Sequence, residues 1–578
     1  MGLEEIIDVA QGRREPDLVL RGAGVVNVFT GEILPGDVAV YGGRIAGVGA
    51  YDGGTTEDLQ GALLCPGFFD GHVHIESSMV QVAEYARAVV PRGTTSVIID
   101  PHEIANVLGS DGILYMLRSS KYNPLNVYMM LPSCVPATAR ETAGSELKAL
   151  DLFPFLSDRW VLGLGEMMDY LGVLDRDPDV LDKIKIMRGK RIDGHAPGLS
   201  GRPLAAYVAA GIQSDHETTT VEEAREKIRL GMRIFLREGS SSKNLVDLLP
   251  LVSWENGDRF VFCTDDRHPG DLMEEGHIDF MIRTAVRHGV DPALAVRLAT
   301  LNPAHHYGLN RLGAIAPGYE ADLAVLEDFD TCRVRRVYKS GTKVAEDGRA
   351  VYTPPPAPRF APRSSMNVGE LTEETFHIPA EGAKANVIGL IPHQLITRHL
   401  RVAPAVEDGR VLSDPERDLI RLYMIERHHA SGNVGRGLIQ GLHLERGALA
   451  SSVAHDSHNL IVAGVSDADL LLATTEVVRR RGGLAVVADG EVLASLPLPI
   501  AGLMSDRPLG EVRAGLDAVH EAARSLGVTV DDPMAVLSFL GLTVIPELKL
   551  SDLGLVEVNR GSLLGLFQEP AAGGGKTA

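Results

Sequence analysis

The chain is short of cysteine pairs, charged runs and long apolar runs, and each shortage excludes something. Its four cysteines, Cys65, Cys134, Cys263 and Cys332, lie far apart and form no CxxC pair. A disulfide framework and a structural zinc module are therefore not expected, and a reducing compartment is. No long acidic or basic run is present, so no charged tail is implied. No apolar stretch reaches the length of a membrane span. The opening residues, Met1-Gly2-Leu3-Glu4-Glu5, lack the basic segment and apolar core of a signal peptide, which makes the cytoplasm the expected location. The formal net charge of −21 argues against a nucleic-acid backbone as partner.

What is present is ordinary in composition and long. The 578 residues are 45% hydrophobic and 23% charged, as in a globular protein too large for one core. Residues 18 to 64 hold short β-type runs broken by glycine: Leu18–Leu20, Gly24–Val28, Asp37–Val40 and Arg44–Val48. They predict a small antiparallel sheet.

From residue 66 short β-type runs alternate with helical patterns. The predicted strands are Gly67–His74, Ser96–Asp100, Asn126–Leu131, Val161–Gly165, Arg191–His195, Ile212–His216, Arg233–Arg237 and Phe260–Thr264. Helices are predicted over Val80–Pro91, Val221–Leu230 and Glu274–His288. Eight strand–helix units in about 240 residues match a closed parallel barrel, and no GxGxxG turn follows the first strand to favour an open doubly wound sheet. The expected fold class is therefore α/β, a (β/α)8 TIM-like barrel inserted in a small β-sandwich domain, with a C-terminal α+β domain.

The expected boundaries are 1–65 for the first part of the small β domain, 66–310 for the barrel and 311–352 for the second part of the β domain. A proline-rich linker, 353–364, then leads to the α+β region, 365–578. The glycine-rich end, Ala571–Ala578, reads as disordered.

In such a barrel reactive groups sit where strands end. His72 and His74, separated by one apolar residue, project to the same side of a strand and make half of a metal site. Ligating groups recur at the other strand ends: Asp100, His102 and Glu103; Glu166; His195; Asp215, His216 and Glu217; Asp265 and Asp266. Taken singly, His102 or Glu103 would be a hydrogen-bonded structural residue. Taken together, four histidines, a glutamate and an aspartate converge on one barrel mouth, where a divalent metal would offset the burial of so many ionisable groups. Cys263, two residues before Asp265, reads as a small core residue that could face the barrel interior. Arg237 to Ser242, after strand seven, is either functional by position or a glycine–serine turn.

The stretch Pro66 to His74 resembles the metal-binding strand of the amidohydrolase superfamily, and Thr300–Ala304 with Gly313–Leu323 resembles its return to the small β domain. Four stretches more narrowly resemble the bacterial adenine deaminase family: His72–Met79, Asp100–Gly109, Cys263–Pro269 and Ala454–Asn459. The resemblance covers nearly the whole chain. It implies hydrolytic deamination of adenine to hypoxanthine and ammonia, through a hydroxide shared by two divalent ions.

It further implies that His72, His74 and Asp265 hold one ion, His195 and His216 the other, and that Glu166 bridges them. The superfamily's carboxylated lysine has no counterpart, because Leu162–Glu166 contains no lysine. The mixed N/O ligand set suits Mn²⁺, Fe²⁺ or Zn²⁺, and the resemblance implies iron or manganese. Asp265 is the expected proton carrier from water to the departing amine. Glu217 is the first candidate to protonate or hydrogen-bond ring N1, with Glu76, His102 and Glu103 behind it, and Asp266 is expected to contact the purine.

The cluster holding His455 and His458 is either a loop closing over the barrel mouth or a surface turn. The expected partner is a small purine base, with neither nucleic acid nor membrane, and a homodimer is the expected assembly. The alternatives are a dihydroorotase-like hydrolase of cyclic amides or a scaffold homologue without metals. The small cytidine-deaminase class is excluded, since its HxE with PCxxC signature is missing.

Overall fold

Eight short runs rich in β-branched and aromatic residues form parallel strands in the computed structural model, which describes residues 2–355, 364–392 and 394–567. They are β1 (Phe68–His74), β2 (Thr94–Ile99), β3 (Asn126–Leu131), β4 (Val161–Met167), β5 (Arg191–Gly194), β6 (Ser214–Asp215), β7 (Arg233–Arg237) and β8 (Phe260–Cys263). Each pairs in parallel with the next from β1 to β5 and from β6 to β8. Between β5 and β6 the Gln213 N–H donates to the Ile192 carbonyl at 3.0 Å. Beyond β8 the pair Asp265–Asp266 lies parallel to Val73–His74, which returns the ring to β1. The barrel is thereby closed, and its interior is filled by Phe69, Ile98, Met130, Phe235, Val261 and Cys263.

Phe69 and His72 both face inward although three residues apart. The pairing irregularity between Asp70 and Val73 supplies the change of parity. Helices Val82–Val89 and Val221–Arg229 pack outside the strands as predicted. The helix expected over Glu274–His288 is instead two, Pro269–Glu274 and Ile278–Arg287. Gly276 breaks it at φ +114°, where an added Cβ would stand 2.7 Å from the Asp279 carboxylate.

The chain before the barrel and the chain after it share one sheet. Leu18–Val26, Ile33–Tyr41, Arg44–Val48, Thr55–Asp58 and Leu63–Pro66 join Leu323–Leu326, Val334–Lys339, Thr342–Glu346 and Arg349–Ala350. The expected antiparallel sheet is in fact mixed, because Leu18–Val26 pairs in parallel with both Thr55–Asp58 and Leu63–Pro66. The two runs predicted at its start are one strand with an irregularity between Leu20 and Ala23.

The C-terminal region has a second large sheet, mostly antiparallel, flanked by helices Asp467–Arg479 and Leu509–Ser525. It is not detached from the barrel: one apolar cluster runs through both and includes Met79, Val80, Leu503 and Met504. Most of the linker 353–364 and the glycine-rich end lie outside the described residues. Among the described residues no helix is long and apolar enough to cross a membrane.

Candidate metal centre

Strand alternation delivers His72 and His74 to one side, and their Nε2 atoms stand 3.1 Å apart. The tautomer of His74 is fixed from behind: Nδ1 donates to the Asp100 carbonyl at 2.9 Å, so in the neutral ring Nε2 carries the lone pair and faces the centre. Burial and the neighbouring His216 and His74 hold His72 at about 3, so it is neutral. Burial opposes charge on His74 as well, but the Asp265 and Glu166 carboxylates outweigh it and raise that imidazole well above its ordinary value.

Glu166, at the end of β4, stands between two histidine pairs. Its Oε1 lies 3.7 Å from His72 Nε2 and 3.2 Å from His74 Nε2. Its Oε2 lies 2.6 Å from His195 Nδ1 and 3.2 Å from His216 Nε2. One carboxylate thus turns each oxygen to a different pair. Asp265 Oδ1 faces the first pair, at 3.1 Å from His74 and 3.7 Å from His72. Burial opposes ionisation of Glu166, but His216, His195 and His74 outweigh it and hold the carboxyl well below its ordinary range. Burial likewise opposes Asp265, and His74 and Arg237 hold it low.

These residues fit metal ions. Two donors on one ion at about 2.1 Å each stand about 3.0–3.5 Å apart, the spacing of most pairs here. A cation must lie between an imidazole nitrogen and a carboxylate oxygen at such range. Protons on His74, His195 and His216, whose affinity for them the carboxylates raise, serve without metal, and metal ions would take their place. Two triads, His72–His74–Glu166 and His72–His216–Asp265, bring three such atoms together, all buried.

The surrounding groups fix the ligands from behind. Asp70 accepts from the N–H groups of His72 at 3.2 Å and Thr264 at 3.1 Å, joining β1 to β8. Asp100 accepts from the Glu166 N–H at 2.9 Å, and an added Cβ at Gly165 would stand 1.8 Å from that same carboxylate. Only glycine fits there. Asp215 accepts from the Ala196 N–H at 2.7 Å and pairs with buried Lys227 at 3.0 Å, which locks the ends of β5 and β6. Asp265 itself has φ +57°, an uncommon conformation for a side chain other than glycine's.

A cavity opens over this centre. Glu217, Asp266, His102, Glu103 and His455 all line it, with Arg237, Gly239, Ser241 and Ser242 from the segment after β7. Arg237 holds Glu217 through Nη1 and Nη2, and its Nη1 also donates to Asp265 Oδ2 at 2.8 Å. Burial raises Glu217, but Arg237, His195 and His216 outweigh it and keep the carboxyl low. Ser77 donates to Asp266 and, at 3.2 Å, to Glu103.

Two expected contacts lie elsewhere. The chain leaves β1 at His74 into the turn Ile75–Ser78, which carries Glu76 into an adjoining chamber. His458 lines neither space. It is fully buried with Nδ1 accepting from the Ala454 N–H at 3.2 Å, and Nε2 points toward Glu103 Oε2 at 3.9 Å.

A family described as "Amidohydrolase family" matches residues 63–344, and one described as "Adenine deaminase C-terminal domain" matches residues 394–562. "Adenine deaminase 2" of Carboxydothermus hydrogenoformans is 54% identical over 97% of this chain and 99% of the relative. "Adenine deaminase" of Desulfatibacillum aliphaticivorans is 50% identical over 98% and 100%. The chain belongs to the adenine deaminase family. Among solved structures, one titled as an adenine deaminase aligns with a TM-score of 0.43 at 15% identity, covering 57% of this chain and 99% of that one.

The C-terminal region, matched separately within the adenine deaminase family, forms the other wall of the cavity. Leu395, His455, Asp456, Phe539, Leu542 and Ile545 line it. The His455 ring stacks on Phe539 at 4.6 Å between centroids, and its Nδ1 lies 3.7 Å from Glu103 Oε1. The residues Ala454 to Asn459 are all buried, so the surface-turn reading of that cluster is corrected. Asn459 Nδ2 donates to the Thr142 carbonyl of the barrel at 2.8 Å, tying the loop down.

Reasoning from sequence missed Phe539, Leu542, Ile545 and Leu395, which carry no ligating group to mark them. The roles of Asp70, Asp100 and Asp215 could have been read from the strand ends. Each stands within three residues of a ligand or on the strand next to one.

Proposed function

We propose that this chain hydrolytically deaminates adenine to hypoxanthine and ammonia at a binuclear divalent-metal centre. The observation that most supports this is Glu166, whose two oxygens face separate histidine pairs, in a chain whose relatives named adenine deaminase match nearly its whole length. In this reading His72, His74 and Asp265 would hold one ion and His195 and His216 the other, and Glu166 would serve both. The mixed imidazole and carboxylate set suits manganese or iron, and zinc by the same donors. When bound, such ions supply Lewis acidity and lower the pKa of water enough to make it nucleophilic at neutral pH.

The remaining work falls to side chains. Asp265, kept ionised and anchored at Oδ2 by Arg237, accepts the proton of the attacking water and returns it to the departing amine. Glu217, kept ionised by the same guanidinium, accepts a hydrogen bond at the purine edge rather than donating one. Burial raises the Glu103 carboxyl, which favours the protonated form able to donate at ring N1. Asp266, His102 and His455 face the same space and contact the base. Phe539, Leu542 and Ile545 offer apolar surface to its faces and exclude water.

A dihydroorotase-like reading needs a lysine at the centre. Buried Lys183 donates to the Ser133 carbonyl at 2.7 Å and Lys227 to Asp215 at 3.0 Å, both occupied away from Glu166. The reading also takes a small base rather than a nucleic acid as partner, which the net charge of −21 favours. It places the protein in the cytoplasm, which its four free cysteines favour.

The test is direct. Protein purified with Mn²⁺ should convert adenine to hypoxanthine, followed by ultraviolet absorbance, and a chelator or Glu166→Gln should abolish it. Hydrolysis of a dihydropyrimidine with adenine untouched would overturn the substrate while leaving the centre intact.

A further inference from the structure

A second chamber adjoins the cavity over the metal centre. Glu103, His455 and Phe539 line both, so the two spaces share a wall. Glu76, His268, Asp532 and Ser538 line only the second.

The carboxylates of this chamber are unevenly matched. Asp532 sits between two imidazoles, His268 Nδ1 at 3.2 Å and His520 Nε2 at 3.1 Å. Glu103 accepts from Ser77 Oγ at 3.2 Å and faces His455 Nδ1 at 3.7 Å. Glu76 differs. It is 2% exposed, its Oε1 takes one long bond of 3.4 Å from the Ile104 N–H, and its Oε2 has no partner. Among the described residues no lysine, arginine or histidine forms an ion pair with it. Independently, Ser538 Oγ on helix Pro533–Phe539 is 3% exposed, lines the same chamber and has no partner. Two buried oxygens of different chemistry thus lack a donor in one enclosed space.

We propose that this chamber is a binding site for a small monovalent cation, and that its occupant during turnover is ammonium, the co-product. The proposal rests on the deamination reading. Water adds to adenine and the amine departs as ammonia, which takes a proton from solvent to become ammonium; nothing is oxidised or reduced. The departing nitrogen is freed in a cavity whose wall leads to this chamber. Ammonium brings four N–H donors and one positive charge, the complement of the unpartnered Glu76 Oε2 and the Ser538 hydroxyl oxygen. An anion would meet uncompensated carboxylate charge there. A divalent ion would want six or more oxygen ligands, or a set with nitrogen, that Glu76 and Ser538 do not complete.

Thallium(I), a heavy monovalent cation, is the probe. Crystals of the metal-loaded protein soaked in a thallium(I) salt should show an anomalous peak beside Glu76 and Ser538, lost in Glu76→Gln and weakened in Ser538→Ala. In solution, ammonium chloride compared with choline chloride at equal ionic strength should lower kcat for adenine. Its inhibition constant should rise about tenfold in Glu76→Gln, as expected for loss of one charge-assisted contact. Should Glu76→Gln fail to fold, Ser538→Ala should show the same weakening to a smaller degree. An empty chamber in the thallium-soaked crystal, or equal ammonium inhibition in the wild type and both variants, overturns the proposal. Thallium bound in a protein that does not turn over adenine removes ammonium as the occupant and marks failure of the deamination reading, not of the cation site.

Discussion

On the barrel side of the cavity the proposed ligands sit at the ends of hydrogen-bonded strands, and buried carboxylates hold the backbone there. Asp100 braces Glu166 and His74, Asp70 braces His72, and Asp215 braces the ends of β5 and β6. On the C-terminal side the lining comes from a loop around His455 and a helix end at Phe539, packed mainly by apolar and stacking contacts. The difference separates two tasks. Charge and geometry for the reaction come from the strands, which cannot shift without breaking the barrel. In the proposed reading the apolar fit to the faces of the base comes from the C-terminal surface, which can change with little effect on the centre.

The comparison breaks first at Glu166. Glu166→Gln should lower adenine turnover on the order of 10³-fold or more and reduce bound metal, read by kcat and elemental analysis on one sample. Full activity in that variant would remove the carboxylate from its central place. The bracing groups come next. Asp100→Asn and Asp215→Asn should each weaken metal affinity or activity about 10–100-fold without touching the base. A rise in KM alone would move these residues to the substrate wall.

Phe539→Ala tests the other side. It removes the ring on which His455 stacks, so KM for adenine should rise about tenfold with metal content unchanged. A loss of metal there would erase the division between the walls.

The smallest effect concerns how the second wall is held. Buried Lys549 donates to the carbonyls of Leu395 at 2.8 Å and Phe539 at 3.0 Å, both cavity residues. Burial lowers it from 10.5 to about 7. The unfolded chain therefore binds the proton more tightly, and the stability this group contributes is lost as pH falls from about 10.5 to about 7. Lys549→Met should flatten that part of the profile, so the variant's Tm gains on the wild type as pH falls through this range and levels off below it. Parallel Tm profiles would contradict the assignment.

Much of the barrel side was legible because its rule is local. A strand's two-residue period places His72 and His74 together, and strand ends in a barrel share one rim. The local rule ends at His74, where the chain leaves the strand, so it could not place Glu76, which the turn carries into the adjoining chamber. At Gly276 the apolar pattern ran through a backbone break that only the folded chain reveals. His455 was visible as a cluster of polar residues, but whether it faced water or the barrel depended on a tertiary contact, Asn459 to Thr142, with no local signature. Phe539 was invisible for the opposite reason: one aromatic on an amphipathic helix is the common case in any core.

The most direct test is a metal titration. Protein stripped of metal, given Mn²⁺ in steps and assayed on adenine, should gain activity to a plateau at two ions per chain, while Glu166→Gln stays inactive throughout. Full activity in the stripped protein, or a plateau reached without a second ion, would contradict a centre shared through Glu166.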